Sequence, residues 1–198
     1  MFRAQANVFY YITAMNENYL QPAIPKGAEQ GILKGLYLLK EGGKHKLRVQ
    51  LLGSGTILRE VEAAAGMLEK DWGVSADVWS ATSFTELRRE GLDCTRWNLF
   101  HADQKPRVPY ITQALAKSTG PIIAATDYMK LLPEMITRWV PGDYCPLGTD
   151  GFGRSENRAS LRRFFEVDAE CITLAALDRL ARRGEFDPAR VQKAIGEL

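Results

Sequence analysis

Few residues in this chain could do chemistry. Its histidines are His45 and His101. His101 lies in Asn98-Leu99-Phe100-His101-Ala102-Asp103, where general-base work would need a carboxylate or nucleophile held within reach. Asp103 is too near in sequence for its spacing to fix such a geometry, so a loop or domain-contact role is favoured over catalysis. His45 sits in a lysine-rich turn and reads as solvated. Two histidines cannot build the usual multi-histidine metal site. Cys94, Cys145 and Cys171 form no CxxC pair, which excludes a disulfide framework or zinc ribbon and points to a reducing cytosol. Cys94, in Asp93-Cys94-Thr95-Arg96-Trp97, has no activating signal around it and reads as structural.

The glycine-rich segments are more informative. Leu147-Gly148-Thr149-Asp150-Gly151-Phe152-Gly153-Arg154-Ser155 reads as a tightly turned loop, because glycine permits positive φ and close backbone approach. An amphipathic run follows, with Ser155 as the expected N-cap. Gly53-Ser54-Gly55 lies at a strand-to-helix turn, where a helix N-terminus can hold phosphate. A dinucleotide fingerprint would need a further glycine where Leu58 stands, and an acid where Ala81-Thr82 ends the next strand. A tight turn with close packing is the favoured reading. Arginines 158, 162, 163, 179, 182, 183 and 190 gather near the end of the chain, and fit solvated salt-bridged helix faces, with an acidic partner's docking surface second.

The elements that must position these residues follow from periodicity. Val8-Phe9-Tyr10-Tyr11-Ile12-Thr13 is a dense β-former run that wants neighbours on both faces, as in a buried parallel strand. Gln21-Pro22-Ala23-Ile24-Pro25-Lys26-Gly27 then reads as an extended linker. Residues 1–25 are therefore expected to be the last strand and exit linker of a preceding domain; a first strand of the domain's own sheet is the alternative. A short helix, then a strand, is expected across residues 28–40. Strands are expected at 47–52, 76–82, 122–125 and 144–147, the last placed at an edge or end by Pro146. Ile57, Leu58, Val61, Ala64, Ala65 and Leu68 recur at helical spacing over 56–70. Ser83 and Glu86 are spaced as a capping box for a short helix that Gly91 closes. A helix follows Pro109, Asp127 caps another, and three more close the chain. The last opens on Asp187-Pro188, a cap followed by proline at the first helical position.

Such alternation argues for a three-layer α/β/α domain over residues 26–198, with a mostly parallel sheet. The 198 residues suit one domain, or one domain plus an attached fragment. A formal net charge of +2 gives no argument for nucleic acid or membrane binding, and no apolar stretch approaches membrane-spanning length. On the residues alone, no catalytic constellation forms.

Ordered motifs add a resemblance. Gln50-Leu51-Leu52-Gly53-Ser54-Gly55, Ser83-Phe84-Thr85-Glu86-Leu87, Pro106-Arg107-Val108-Pro109-Tyr110, Thr126-Asp127-Tyr128-Met129-Lys130 and the 147–155 loop together resemble the carboxy-terminal domain of the homodimeric pyruvate dehydrogenase family. Tyr10-Tyr11-Ile12-Thr13 with Asn16-Glu17-Asn18-Tyr19 resembles the end of that family's middle, pyrimidine-binding domain. The Phe-Gly-x-Ser portion resembles the wider transketolase superfamily, whose last domain is a five-stranded α/β unit.

The resemblance implies a cytoplasmic homodimer that uses thiamine diphosphate and magnesium to decarboxylate pyruvate, passing the acetyl unit to the lipoyl group of a dihydrolipoyl acetyltransferase. The cofactor is the electron sink in such chemistry. The family's diphosphate motif is Gly-Asp-Gly followed by Asn-Asn, in the amino-terminal domain; Thr149-Asp150-Gly151 is no such motif. No catalytic, cofactor or metal residue is therefore carried over. The expectation is an inactive scaffold piece of a larger enzyme, packed on the amino-terminal and middle domains and extending the dimer interface. Phe152, Gly151, Gly153, His101, Tyr10 and Tyr11 are the packing candidates. A freestanding α/β interaction or small-ligand module is the alternative.

Overall fold

The computed structural model describes residues 1–10, 16–20 and 22–197. After α1 (Glu29–Lys34) come β1 (Tyr37–Lys40), β2 (Leu47–Gly53), α2 (Leu58–Met67), β3 (Val74–Ser80), α3 (Phe84–Phe100) and α4 (Tyr110–Leu115). The chain continues through β4 (Ile122–Ala125), α5 (Leu131–Glu134), β5 (Tyr144–Leu147), α6 (Arg158–Phe164), α7 (Ala169–Arg182) and α8 (Pro188–Glu197).

The five strands are ordered β1-β3-β2-β4-β5. β1 runs antiparallel to β3, and the remaining pairings are parallel. Successive strand residues point to opposite faces, and the two cores divide accordingly. Val49, Leu51, Val74, Val78 and Ile123 pack with α2, α7 and α8, whereas Leu52, Trp79, Ile122 and Ala124 pack with α3 and α4. Fully burying a leucine such as Leu51 stabilises by about 1.5–3 kcal/mol, so these layers hold the sheet between them. β5 forms the edge that Pro146 requires.

The α/β class, the parallel core of the sheet and the apolar stripe of α2 agree with the sequence pattern. Five local expectations do not. The described part of the opening β-former run, Val8-Phe9-Tyr10, is not a strand. It has no ladder partner, Val8 N–H turns back to the Ala6 carbonyl (2.8 Å), and Phe9 and Tyr10 are exposed. Tyr11, Ile12 and Thr13 lie outside the described residues.

Gly91 does not close α3; it is buried mid-helix, where a β-carbon would stand 2.7 Å from the Trp139 ring. Only half of the capping box forms. Ser83 Oγ accepts from Glu86 N–H (3.1 Å), while the Glu86 carboxylate turns to Arg89. Asp127 does not cap α5, because the helix starts only at Leu131, with Lys130 at the cap position and no side-chain cap. Asn157, not Ser155, caps α6, accepting from Ser160 N–H (2.9 Å).

Candidate functional site

β2 leads through α2 to β3 on one side of it, and β4 then pairs with its other side. The chain therefore switches direction at β2/β4, and the crevice beyond the carboxyl ends of those strands is where open α/β sheets bind ligands. A cavity of about 330 Å³ opens here. Its sheet end is made by Thr56, after the 53–55 turn, by Asp127, after β4, and by Thr149, after β5. Ile57, Leu161, Phe165 and Val167 give an apolar wall, and Arg154, Arg158 and Arg162 rim it.

Each side is set by local structure. Gly53 sits where a β-carbon would be 2.7 Å from Leu58 Cα, so the turn into α2 is close-packed, as the structural reading of Gly53-Ser54-Gly55 requires. The 148–157 loop is pinned at its stem. Thr149 N–H donates to the Tyr128 carbonyl (2.8 Å), Thr149 Oγ1 to the Asp127 carbonyl (2.8 Å), and Lys130 N–H to Asp150 Oδ1 (2.9 Å). Beyond that stem the tip turns on Gly151, at φ 91°, and leaves Phe152 94% exposed.

Glu17, from the extended segment before α1, closes the back of the arginine rim. Its carboxylate meets Arg59 Nη1 at 3.0 Å, Arg162 Nη2 at 3.5 Å and Arg158 Nε at 3.6 Å. The hydrogen bond from Arg59 leads in holding this carboxyl below its ordinary range; burial opposes it, and the charges of Arg59, Arg158 and Arg162 reinforce it. Arg162 is shared with Glu60 at 2.9 Å. Arg59 also lies over the Tyr19 ring at 5.0 Å. The segment is thereby strapped across α2 and α6.

The residues singled out in the sequence scatter over the molecule. Gly151 and Gly153 line the cavity and Phe152 stands at the loop tip. His101 ends α3, its Nδ1 2.8 Å from the Trp97 carbonyl and its ring stacked on Trp97 at 4.3 Å. No contact joins it to Asp103 among the described residues. Tyr10 is exposed, and Tyr11 falls outside the description. His45 pairs with Glu69 at 3.2 Å on the surface.

The terminal arginines are mostly salt-bridged, as their helix faces suggest. Arg163 meets Asp168 and Glu170, Arg179 meets Asp143, Arg182 meets Asp178 and Arg183 meets Glu185. Arg190 instead lies over Phe186 and Trp72.

Cys94 and Cys171 are poor nucleophiles. Burial first, then the hydrogen bond to Glu90 and its charge, push the Cys94 thiol up to about 11. Burial and Asp168 push Cys171 up to about 12. Both are neutral thiols at pH 8, and their thiolate fraction grows only as pH approaches those values. Alkylation by iodoacetamide at pH 8 should be about a hundredfold slower at Cys94 than at an unperturbed thiol. Peptide mapping checks this, and rapid labelling of Cys94 in the folded chain would contradict it.

Residues 35–168 match the transketolase-like TK C-terminal domain family. The chain belongs to that family. It is 58% identical over 199 residues to the pyruvate dehydrogenase E1 component of Pseudomonas aeruginosa, covering 100% of this chain and 23% of that protein. With the protein of the same name from Escherichia coli K12 it shares 57% identity over 197 residues, covering 98% and 22% respectively. The chain thus spans less than a quarter of the length of these curated relatives. Among solved structures, a transketolase from Pichia stipitis superposes with a TM-score of 0.52 at 19% identity, over 80% of this chain and 20% of that one. That likeness carries the fold alone.

The TK C-terminal match begins at Gly35, so the strapped segment and α1 lie outside it. In this domain the sheet, cavity and pinned loop form one unit, to which the amino-terminal segment is tied by arginines.

Proposed function

We propose that the chain is the carboxy-terminal scaffold of a pyruvate dehydrogenase E1-type enzyme and is inactive by itself. End-to-end identity of 57–58% to proteins more than four times as long carries this reading. The complete enzyme would use thiamine diphosphate and magnesium to decarboxylate pyruvate in the cytoplasm, handing the acetyl unit to a lipoyl group on the acetyltransferase component.

The residues present here do not fit that cofactor. Asp150, the acid of the Thr-Asp-Gly run, is occupied as the acceptor for Lys130 N–H. Among the described residues no group of three or more His, Cys, Asp or Glu side chains is placed to hold a metal ion. In this reading the chain supplies shape and contact surface, and no step of the decarboxylation is assigned to it.

In this reading, residues 1–25 are the end of a middle domain and its linker, and residues 26–198 are the carboxy-terminal domain. The Glu17 strap fixes where that linker enters. Phe152 on its Gly151/Gly153 turn, Tyr10 and Tyr11, and His101 are the surfaces offered to the other domains and to a second subunit of a homodimer. The exposure of Phe152, Phe9 and Tyr10 supports a covered position in the complete enzyme, since contiguous apolar surface marks an interaction face. Among the described residues no helix is long and apolar enough to cross a membrane.

Isothermal titration of this chain with thiamine diphosphate and magnesium tests the assignment. The expected result is no binding heat above dilution, and no acetyl transfer from pyruvate. Binding with a dissociation constant of about 10 µM or tighter would overturn the scaffold reading. A full-length E1-type enzyme carrying this domain should show both binding and turnover.

A further inference from the structure

The β2/β4 crevice holds charges that the fold leaves unneutralised. Arg158 and Arg162 are engaged by Glu17, and Arg162 also by Glu60. Arg154, by contrast, has no carboxylate partner among the described residues and only stacks on Phe164 at 4.9 Å. Asp127 likewise has no cationic partner there; Thr56 Oγ1 donates to its Oδ2 at 3.3 Å, and no other side-chain donor among the described residues bonds that carboxylate. Both side chains line the same cavity of about 330 Å³, and Ile57, Leu161, Phe165 and Val167 lie on its walls with them.

An open carboxylate, an open guanidinium and an apolar wall in one concavity call for a ligand with the complementary triad. Guanidinium pairs best with a planar carboxylate, through charge-assisted hydrogen bonds. Asp127 can only accept while ionised, so it selects an ammonium or hydroxyl donor. The walls favour a short branched or aromatic body, and the volume lies in the range of small-molecule sites. We propose that this crevice binds a small amino or hydroxy carboxylic acid with a compact apolar side chain, its carboxylate on Arg154 and its donor group on Asp127. The proposal rests on this chain's own residues and not on the assignment of the complete enzyme.

The test titrates the 198-residue chain by nuclear magnetic resonance with four probes. L-leucine offers an ammonium donor, and L-2-hydroxyisocaproate a hydroxyl. Isocaproate lacks the donor, and L-leucinol lacks the carboxylate. At least one of the first two should bind with a dissociation constant below about 1 mM, shifting the amides of Thr56, Asp127 and Gly153. Both control probes should bind about tenfold more weakly or less, because each leaves one charged wall unpaired.

Arg154→Ala should weaken the binding probe about tenfold with an unchanged melting temperature, since the side chain is exposed. Asp127→Asn should weaken L-leucine more than the hydroxy acid. The proposal is overturned if neither acid binds below about 1 mM, if isocaproate or leucinol matches them, or if Arg154→Ala leaves affinity as it was.

Discussion

Asp77→Ala should lower the chain's unfolding free energy by about 2–4 kcal/mol, read as a shift of the urea midpoint without a change in slope. Asp77 sits on β3, buried, opposite Gln50 in the parallel ladder. Its carboxylate accepts from Gly42 N–H at 2.8 Å, from Gln50 Nε2 at 2.8 Å and from Arg48. Gln50 in turn accepts from Trp79 Nε1 at 2.8 Å and donates to the Thr119 carbonyl at 3.1 Å.

Truncating Asp77 therefore leaves the Gly42 N–H without its acceptor, removes one of two acceptors from the buried Gln50 amide nitrogen, and takes the carboxylate from Arg48, which keeps only the Gly43 carbonyl at 2.6 Å. The guanidinium keeps some solvent, Arg48 being 26% exposed at its side chain, which holds the cost below that of a wholly buried pair. Asp77→Asn keeps an acceptor for Gln50 and should cost about half as much. If Asp77→Ala moved the midpoint by less than about 1 kcal/mol, the cluster would be ornament rather than the device that sets β2 against β3.

That cluster also marks what the sequence conceals. Where burial follows one period, the pattern is plain. Val61, Ala64, Ala65 and Leu68 are all buried on α2, and Ile122-Ile123-Ala124-Ala125 is the buried strand its composition announces. β3 is shifted from the expected 76–82 to Val74–Ser80. Ser75 and Asp77 look solvent-facing in a sequence, yet both are buried, because partners distant in the chain satisfy them. His45 N–H reaches Ser75, and Gly42, Arg48 and Gln50 reach Asp77. Gly91 misleads for a similar reason. Local propensity reads a mid-pattern glycine as a helix end, whereas here it makes room for Trp139, contributed by a segment far along the chain.

The candidate site was less legible than the fold. The 147–155 loop announces itself by glycine, and its place after β5 follows from the element order. The company it keeps does not. Glu17 meets Arg158 across most of the chain, and Asp127 faces the same cavity as Arg154. The β2/β4 pairing brings Thr56 to Asp127, and the β4/β5 pairing brings the loop that carries Arg154; such contacts depend on strand order, which periodicity alone does not fix. Asp127 reads in isolation as a helix cap, the commonest use of an aspartate after a strand. The helix begins further on, after Lys130 and without a side-chain cap, and the aspartate is left to the crevice.

The close approach of β2 and β4 also sets the second large effect. Gly120 precedes β4 with φ at 83°, and a β-carbon there would stand 1.7 Å from the Arg48 carbonyl oxygen. That oxygen belongs to the backbone of a central strand, so no side-chain rotation can relieve the contact. Gly120→Ala should destabilise the chain by at least about 3 kcal/mol, combining left-handed strain with displacement of the ladder.

Gly142→Ala is the matched control, with φ at 89° and nothing within 4 Å of the added methyl, and it should cost only about 1 kcal/mol. Chemical denaturation of the two variants separates steric from torsional cost. Equal effects would show that the β2/β4 contact yields easily. Unequal effects would show a stiff pairing. Because β4 has only four residues, stiffness at its start carries directly to Asp127 beyond its end, and the width of the crevice is then fixed by the sheet itself.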